Sequence, residues 1–232
     1  MTLRDAWEEQ AEKWTVWARH AGHDSYHRFH RDAFLELVPP PGRRTLDVGC
    51  GEGRLTRDLT ALGHRVSAVD LSPTLIRHAR EADPDGEYHV ASGSELPFPD
   101  ASADLVVAFM SLQDMDDPEG AIGEAWRTLE PSGRLCIALV HPINSGGSFE
   151  TLDDDAAFTI PGSYVETRRY VDVVERDGLK MTFTSDHRSL EDWLRPVTDC
   201  GFLLERIREV IDPENPRWRR VPLFLHVRAV KP

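Results

Sequence analysis

The residues with the clearest chemical potential form one glycine-rich run, Leu46–Gly53, which reads LDVGCGEG. An apolar strand pattern precedes this run and a helical pattern follows it, so the glycines are predicted to let the backbone turn and approach a ligand at a helix N-terminus. The spacing is GxGxG, because Arg54 stands where the dinucleotide-binding fingerprint has its third glycine. A large side chain there obstructs the helix packing of that fingerprint. Asp47, just before the loop, would repel a pyrophosphate but attract an ammonium group.

A second acidic residue, Asp70, ends the next predicted strand. A carboxylate in this place can accept hydrogen bonds from two ribose hydroxyls. The alternative is that Asp70 caps the following helix. Ser72 is better placed for that cap, since Pro73 then stands at the first helical position, and we therefore favour the ligand role for Asp70.

The bulk composition restricts the classes of partner. The chain has 232 residues and a formal net charge of -13, which disfavours general binding to nucleic acid or to anionic membranes. Its three cysteines, Cys50, Cys136 and Cys200, form no CxxC pair, so neither a disulfide framework nor a metal site is expected. The amino-terminal residues lack an apolar signal-peptide core, and a cytoplasmic location is expected. We expect a monomer or a homodimer that acts on a small molecule.

Alternating strand and helix patterns predict an α/β fold with a doubly wound, mostly parallel, seven-stranded sheet. The last strand is expected to be antiparallel, because the connection 212–221 is too short for a crossover helix. The predicted strands are 44–48, 65–69, 88–91, 105–109, 134–140, 202–210 and 223–230.

Two segments lie outside this alternation. Residues 1–41 have helical spacing and are predicted to form an N-terminal helical cap, in which Trp14 and Tyr26 would provide an aromatic wall favourable to a cation. Residues 144–185 are predicted to be an inserted lid that contains a β-hairpin turning at Asp177-Gly178. The sheet core then comprises 42–143 and 186–232.

Between Thr45 and His141 the chain resembles the class I, Rossmann-like S-adenosylmethionine-dependent methyltransferases, and most closely the ubiquinone/menaquinone-type small-molecule group. The segments that carry this resemblance are LDVGCGEGRLTRDL, VSAVDLSPTLIRHAR, GSELPFPDASADLVVAFMSLQDMDDP and WRTLEPSGRLCIALVHP. The resemblance implies that the cofactor is S-adenosyl-L-methionine, that the product is S-adenosyl-L-homocysteine, and that no metal is needed.

The resemblance also implies roles for individual residues. Asp47, Gly49 and Gly51 would line the methionine end, with Cys50 and Arg54 beside them. Asp70 would hold the ribose and Leu71 would pack by the adenine. The adenine edge and the floor under the sulfonium are assigned to Ser92, Gly93, Ser94, Glu95, Phe109, Met110 and Ser111, with Leu96 beneath the adenine.

Departures from the family pattern leave other functions open. Relatives often have Asp where this chain has Ser92, and histidines where it has Gln113-Asp114. The missing histidines leave a cofactor-binding protein without catalysis as an alternative. An NAD(P)-dependent oxidoreductase would have the same sheet and is a further alternative, although Arg54 at the third-glycine position argues against it. Methylation of RNA or protein is disfavoured by the acidic composition.

Side chains for the methyl acceptor are expected above the fourth and fifth strands. His141, Asp114 and His187 are the predicted catalytic residues, and Gln113, Tyr164 and Arg188 are predicted to line the acceptor pocket. Each has a structural alternative. His141 could cap the turn after its strand, Asp114 could belong to a solvated turn, His187 and Arg188 could supply helix-start polarity, and Tyr164 could pack in the hairpin.

Overall fold

The computed structural model describes all 232 residues, Met1–Pro232. Seven strands form the main sheet: β1 (Thr45–Val48), β2 (Val66–Asp70), β3 (Glu87–Val90), β4 (Ala103–Phe109), β5 (Leu129–Val140), β10 (Leu203–Val210) and β11 (Phe224–Val230). Their spatial order is β10-β11-β5-β4-β1-β2-β3. The last strand, β11, is antiparallel to both of its neighbours, whereas β1 to β5 pair in parallel. The predicted fold class is confirmed.

The helices are α1 (Leu3–Arg19), α2 (Arg31–Leu35), α3 (Arg54–Ala61), α4 (Pro73–Ala82), α5 (Pro118–Thr128), α6 (Pro142–Gly146) and α7 (Leu190–Asp199). A π-helical turn, Tyr26–His30, precedes α2, and a 3₁₀ turn, Leu112–Asp114, follows β4. The second part of the predicted helical cap is therefore a π turn joined to a short α-helix. None of these helices combines the length and the apolar character needed to cross a membrane.

Alternation along β4 shows how the sheet is covered on both faces. Val106 and Ala108 belong to the core on the side of α5 and α7, whereas Leu105, Val107 and Phe109 belong to the core on the side of α3 and the 26–35 turns. An apolar strand buried on both faces is what a central parallel strand requires. The carboxyl ends of β1, β2 and β4 therefore meet at one edge, above a packed support.

Strand β5 begins five residues earlier than predicted. Leu129 pairs with Ala103, and the strand then passes through the exposed Pro131 and Ser132, where Ser132 has a φ of 67°. Pro131 and Ser132 thus form an irregularity within the strand, because pairing with β4 continues on both sides of them.

Residues 144–185 form two hairpins, a short one of β6 (Ser148–Phe149) with β7 (Phe158–Thr159) and a long one of β8 (Arg168–Arg176) with β9 (Leu179–His187). The long hairpin turns at Asp177-Gly178, as predicted, and both residues have positive φ. Helix α1 packs on β9, where Trp7, Trp14 and Trp17 surround the ring of Phe183 with centroid distances of 5.9–6.2 Å. We call α1 and the β8–β9 hairpin together the cover.

Candidate active site

The loop after β1 takes a backbone path that glycine favours. Gly49 has a φ of 77°, and a Cβ added to it would lie 2.4 Å from Cβ of Ser111. Gly51 has a φ of 58°, and its added Cβ would lie 3.4 Å from Nε1 of Trp14. The loop thus leaves a narrow space between the end of β1 and α1. Cys50 lines this space as part of the same loop.

Asp47 is a buried carboxyl group with one neutral partner. Its Oδ2 accepts a hydrogen bond of 2.6 Å from the hydroxyl of Thr56. Burial raises the pKa of Asp47 to about 7, although the hydrogen bond from Thr56 acts to lower it. Because no cation offsets its charge, this carboxylate favours a positively charged ligand group.

Asp70 lies at the end of β2 with its carboxylate fixed by backbone groups. Gly51 N–H donates to Oδ2 at 2.8 Å and Ser72 N–H donates to Oδ1 at 2.9 Å. Burial raises the pKa of Asp70, and these hydrogen bonds oppose that rise. The hydroxyl of Ser72 caps α4 through Leu75 N–H at 3.0 Å, so Asp70 is not needed as the helix cap.

The loop after β3 provides small polar groups. Ser94 N–H donates to Ser92 Oγ at 3.2 Å, and the two hydroxyls lie 3.0 Å apart. Leu71, Ser92, Gly93 and Ser94 line the same cavity as Asp70. Two predictions for this loop are corrected. Glu95 is exposed outside the cavity because the loop turns away after Ser94. Leu96 is buried in the main core instead of facing the cavity.

The end of β4 lies between this loop and the loop after β1. Phe109, Met110 and Ser111 all line the cavity, as predicted from the resemblance. Met110 has a φ of 55°, which turns the chain sharply after the strand. Ser111 Oγ donates to the carbonyl of Val48 at 2.7 Å and so ties the ends of β4 and β1 together.

Aromatic and charged residues cover the end of the cavity near Arg54. The guanidinium carbon of Arg54 lies 4.1 Å from the ring centroid of Tyr26 and 4.9 Å from that of Trp14. Arg54 also pairs with Asp24 at 2.6 Å. The indole N–H of the buried Trp17 has no hydrogen-bond partner, although this residue lines the same cavity. This end therefore offers donors to an anionic group.

Another part of the cavity lining, which we call a wall, contains Gln113 and Asp114. Ser185 Oγ donates to Asp114 Oδ1 at 2.5 Å, and burial raises the pKa of Asp114 to about 8. Asp114 is therefore half-buried against the hairpin and hydrogen-bonded to it, rather than part of a fully solvated turn.

Four predicted acceptor residues lie outside the cavity, and these predictions are corrected. His141 Nδ1 accepts from Ile143 N–H at 3.1 Å and its Nε2 lies 3.0 Å from Glu209, so it caps the turn after β5. His187 is fully buried between Ser145 Oγ and the carbonyl of Tyr164.

The other two residues have structural roles as well. The hydroxyl of Tyr164 accepts from Leu190 N–H at 3.1 Å, which places it at the start of α7. Arg188 pairs with Glu119 and lies over the ring of Trp193 at 5.3 Å. Each side chain is held by partners outside the cavity.

The long hairpin supplies further cavity residues, of which Asp172, Phe183 and Ser185 were not predicted as site residues. The cross-strand pairs Tyr170–Ser185 and Asp172–Phe183 of the long hairpin place all four side chains on the cavity. Trp7, His30 and Phe224 also line it. The alternation of β8 and β9 carried part of this signal, because residues two apart share one face of a strand.

These residues enclose one cavity of about 380 Å³. Ligand cavities in proteins commonly fall in this size range. Its lining joins the ends of β1, β2 and β4 to the cover. A separate group of ligand-type side chains, His20, His23 and Asp177, has its donor atoms within 4.8 Å of one another at the hairpin tip, away from this cavity.

Residues 46–137 match the protein family described as Methyltransferase domain. The chain is 28% identical over 197 residues to a demethylmenaquinone methyltransferase of Tropheryma whipplei, which covers 83% of this chain and 75% of that protein. It is 35% identical over 109 residues to a ubiquinone biosynthesis O-methyltransferase of Xanthomonas axonopodis, which covers 45% of this chain and 46% of that protein. This chain carries an S-adenosylmethionine-dependent methyltransferase domain.

A solved structure supports the fold of this methyltransferase. The S-adenosylmethionine-dependent methyltransferase of Mesorhizobium loti superposes with a TM-score of 0.73 at 22% identity, covering 91% of this chain and all 100% of that one. The cofactor of the family is S-adenosyl-L-methionine, and its product is S-adenosyl-L-homocysteine. The oxidoreductase alternative is set aside, because the matched domain and these relatives are methyltransferases.

The cavity of the methyltransferase fits this cofactor chemically. Asp47 and Asp70 are buried acceptors, suited to an ammonium group and to hydroxyl groups. Trp17 contributes a buried donor without a partner, suited to a carboxylate.

Proposed function

We propose that this methyltransferase transfers the methyl group of S-adenosyl-L-methionine to a small-molecule acceptor inside the cavity described above. The observation that carries the proposal is the continuity of that cavity, which joins the strand-end residues to a second wall formed by the cover. A recessed site of this volume suits a small acceptor better than a large polymer. The relatives named for menaquinone and ubiquinone methylation also support a small acceptor.

We assign the cofactor contacts by chemical complementarity. Asp70 would accept from the ribose hydroxyls, because its two oxygens are held in place by backbone N–H groups. Asp47 would attract the ammonium group, and Arg54 with Trp17 would receive the carboxylate after Arg54 turns from Asp24. Ser92 and Ser94 would meet the adenine amine, and Leu71 would pack on the ring.

The chemistry needs little from the protein beyond position and exclusion of water. When bound, the cofactor supplies an already activated methyl group. The side chains of Phe109 and Met110 would hold the reacting groups in line, and the aromatic cover would keep water away. A base is required only for an acceptor that carries a proton at neutral pH.

The organisation of the chain supports the same function. We infer that residues 1–41 act as a cap and 144–185 as an inserted lid on a core of 42–143 and 186–232, since parts of both segments line the cavity. A cytoplasmic location, a role in small-molecule metabolism and a monomeric or homodimeric state remain predictions from the sequence.

Two measurements on the purified chain test the proposal. Calorimetry should detect S-adenosylhomocysteine binding that Asp70→Asn weakens and the exposed Asp85→Asn leaves unchanged. Transfer of a labelled methyl group should then appear with members of a panel of small amines, phenols, quinols and acids. Cofactor binding without transfer to any of them would favour a binding protein without catalysis, and absence of cofactor binding would overturn the proposal.

A further inference from the structure

The wall formed by Gln113 and Asp114 has a chemical character of its own. Both residues lie in the 3₁₀ turn after β4 and line the cavity. Gln113 is only 4% exposed, yet its Oε1 has no hydrogen-bond partner. Its amide N–H₂ lies 3.4 Å from Asp114 Oδ2. A buried acceptor atom without a donor is costly, and it indicates a ligand group that donates.

Asp114 adds a carboxyl group to the same place, and this group carries negative charge when it is ionised. Its one short hydrogen bond comes from Ser185 Oγ, a neutral group, and no ion pair with a lysine or arginine forms. Asp172 also faces the cavity, and burial raises its pKa. Burial, with the nearby charge of Asp114, raises the pKa of Tyr170 above its ordinary value. The polar groups of this wall therefore lack a cation.

The basic residues that line other parts of the cavity do not neutralise the carboxyl groups of this wall. Arg54 is paired with Asp24, and Arg4 is exposed at the rim. His30 is 3% exposed, and burial followed by the nearness of His226 lowers its pKa, so its imidazole is neutral at pH 7. Beside Gln113 and Asp114, a carboxylate or phenolate ligand would therefore find no cationic partner, whereas a cation would find several acceptors.

Aromatic rings complete this wall. Trp7 and Trp14 lie edge to face at 5.8 Å, and Phe183 lies 6.2 and 6.0 Å from them. The indole N–H of Trp7 donates to the carbonyl of Thr184, so this ring is held in place. Aromatic faces beside a carboxylate form a suitable environment for an organic ammonium group.

We propose that the methyl acceptor is a small-molecule amine, whose protonated nitrogen is held by Asp114 and Gln113 against the aromatic rings of the cover. This inference rests on the proposed function and names its acceptor class. The bound ammonium gives one proton to the Asp114 carboxylate and becomes a nucleophile. The nitrogen lone pair then forms the new N–C bond, and the electron pair of the broken C–S bond stays on sulfur.

The first test is binding, which does not depend on turnover. Matched sets of 2-phenylethylamine, 2-phenylethanol and phenylacetate, and of hexylamine, hexanol and hexanoate, are titrated into enzyme saturated with S-adenosylhomocysteine. Each amine should bind at least about tenfold tighter than the alcohol and the acid of its set, because a hydrogen bond to a charged group increases affinity by about that factor. Equal affinity across each set, or no binding by either amine, overturns the proposal.

Variants connect this preference to Asp114. Asp114→Asn should lose the preference for amines while S-adenosylhomocysteine still binds with unchanged affinity. Asp155→Asn, an exposed residue outside the cavity, is the matched control. If the wild-type protein does not bind S-adenosylhomocysteine at all, the proposed function itself is contradicted. Failure of the amine proposal and failure of the proposed function therefore give different results.

A pH series supplies a second readout. Alkyl amines stay protonated up to about pH 10, so amine affinity should rise as Asp114 ionises through its pKa of about 8. Ser185→Ala should move that rise to higher pH, and Asp114→Asn should abolish it. A rise unchanged in Asp114→Asn would contradict the assignment. The groups that face Asp114 or share its cavity wall are Arg4, Trp7, Gln113, Asp116, Asp117, Tyr170, Asp172, Ser185 and Asp186.

Discussion

The cavity has two parts that are built in different ways. One is the cover, and the other, which we call the floor, is formed by the residues at the ends of β1, β2 and β4. On the floor, Asp47 and Asp70 lie in β1 and β2, and backbone N–H groups of Gly51 and Ser72 fix the carboxylate of Asp70. In the cover, the polar and aromatic groups belong to a helix and a hairpin that lie far apart in the sequence. Side-chain contacts around Phe183 join them.

This difference suggests that the floor binds the cofactor and the cover contacts the acceptor. Backbone hydrogen bonds within a seven-stranded sheet open only with that sheet, so the floor is preorganised for the cofactor. The two-stranded hairpin depends on α1 for much of its burial and can open separately. We expect changes in the floor to weaken cofactor binding, and changes in the cover to affect the acceptor more than the cofactor.

The largest effect is expected from Asp70→Asn. Loss of the charged acceptor for two hydroxyl groups should weaken S-adenosylhomocysteine binding about a hundredfold, at 1.5 kcal/mol or more for each hydrogen bond. Calorimetry measures this affinity, and Asp85→Asn provides the matched control. An Asp70→Asn protein that binds within threefold of wild type would show that the floor does not recognise the ribose.

A glycine pair separates backbone strain from packing. Gly49 and Gly178 both have a φ of 77°, but an added Cβ meets Ser111 at 2.4 Å only in Gly49, while Gly178 faces open space. Gly49→Ala should therefore cost about 2 kcal/mol more in the free energy of unfolding than Gly178→Ala. Urea denaturation of both variants measures the difference. Equal losses would mean that the overlap relaxes without cost.

Phe183→Ala should open the cover while the floor stays closed. Removing a half-buried ring from among three indoles should cost about 1–2 kcal/mol of local stability, which is roughly a tenfold rise in amide exchange of 168–187. Hydrogen exchange followed by mass spectrometry resolves this segment from β4. Val173→Ala, 55% exposed on the same hairpin, is the control. Equal acceleration in β4 would show that floor and cover unfold together.

The smallest effect concerns a proton on Asp47. Its pKa of about 7 in the folded protein lies above the unfolded value of 3.8, so its contribution to stability is present at low pH and is lost as pH rises from about 4 through 7. An ammonium group beside Asp47 reverses that shift. S-adenosylhomocysteine binding at pH 6 should therefore release up to about one proton, with an affinity change of at most about 1.4 kcal/mol per pH unit.

Calorimetry in two buffers of different ionisation enthalpy measures this release. The heats should differ at pH 6 in the sense of proton release, and that release should have disappeared by pH 9, where Asp47 is already ionised. Heats independent of the buffer at pH 6 would place the ammonium group away from Asp47.

The floor could be predicted from the sequence because its determinants are local. A glycine loop after one strand and an acid at the end of the next occupy fixed positions in a parallel sheet, so Asp47, Gly49 and Asp70 all reach the cavity. The cover could not be predicted in the same way. Whether Ser185 meets Asp114 depends on how a hairpin docks against a turn 71 residues away.

The errors have the same origin. His141 stands at the correct edge of the sheet, but Glu209 and Ile143 hold its two nitrogens, and nothing in the local sequence indicates those partners. His187 ends β9 on the same face as Ser185 but lies beyond the cavity, with its nitrogens on Ser145 and Tyr164. Residue type and strand position predicted correctly that these residues lie near the ends of strands. The partners of their side chains depended on packing with distant parts of the chain.

The contact of α1 with β9 also has a consequence for the order of folding. Trp7, Trp14 and Trp17 are made early in synthesis, but Phe183 emerges more than 160 residues later. Closing so long a loop is slow relative to local helix formation. We expect the newly made chain to keep these indoles exposed to chaperones until the hairpin is complete, and tryptophan burial to be the last spectroscopic phase of refolding.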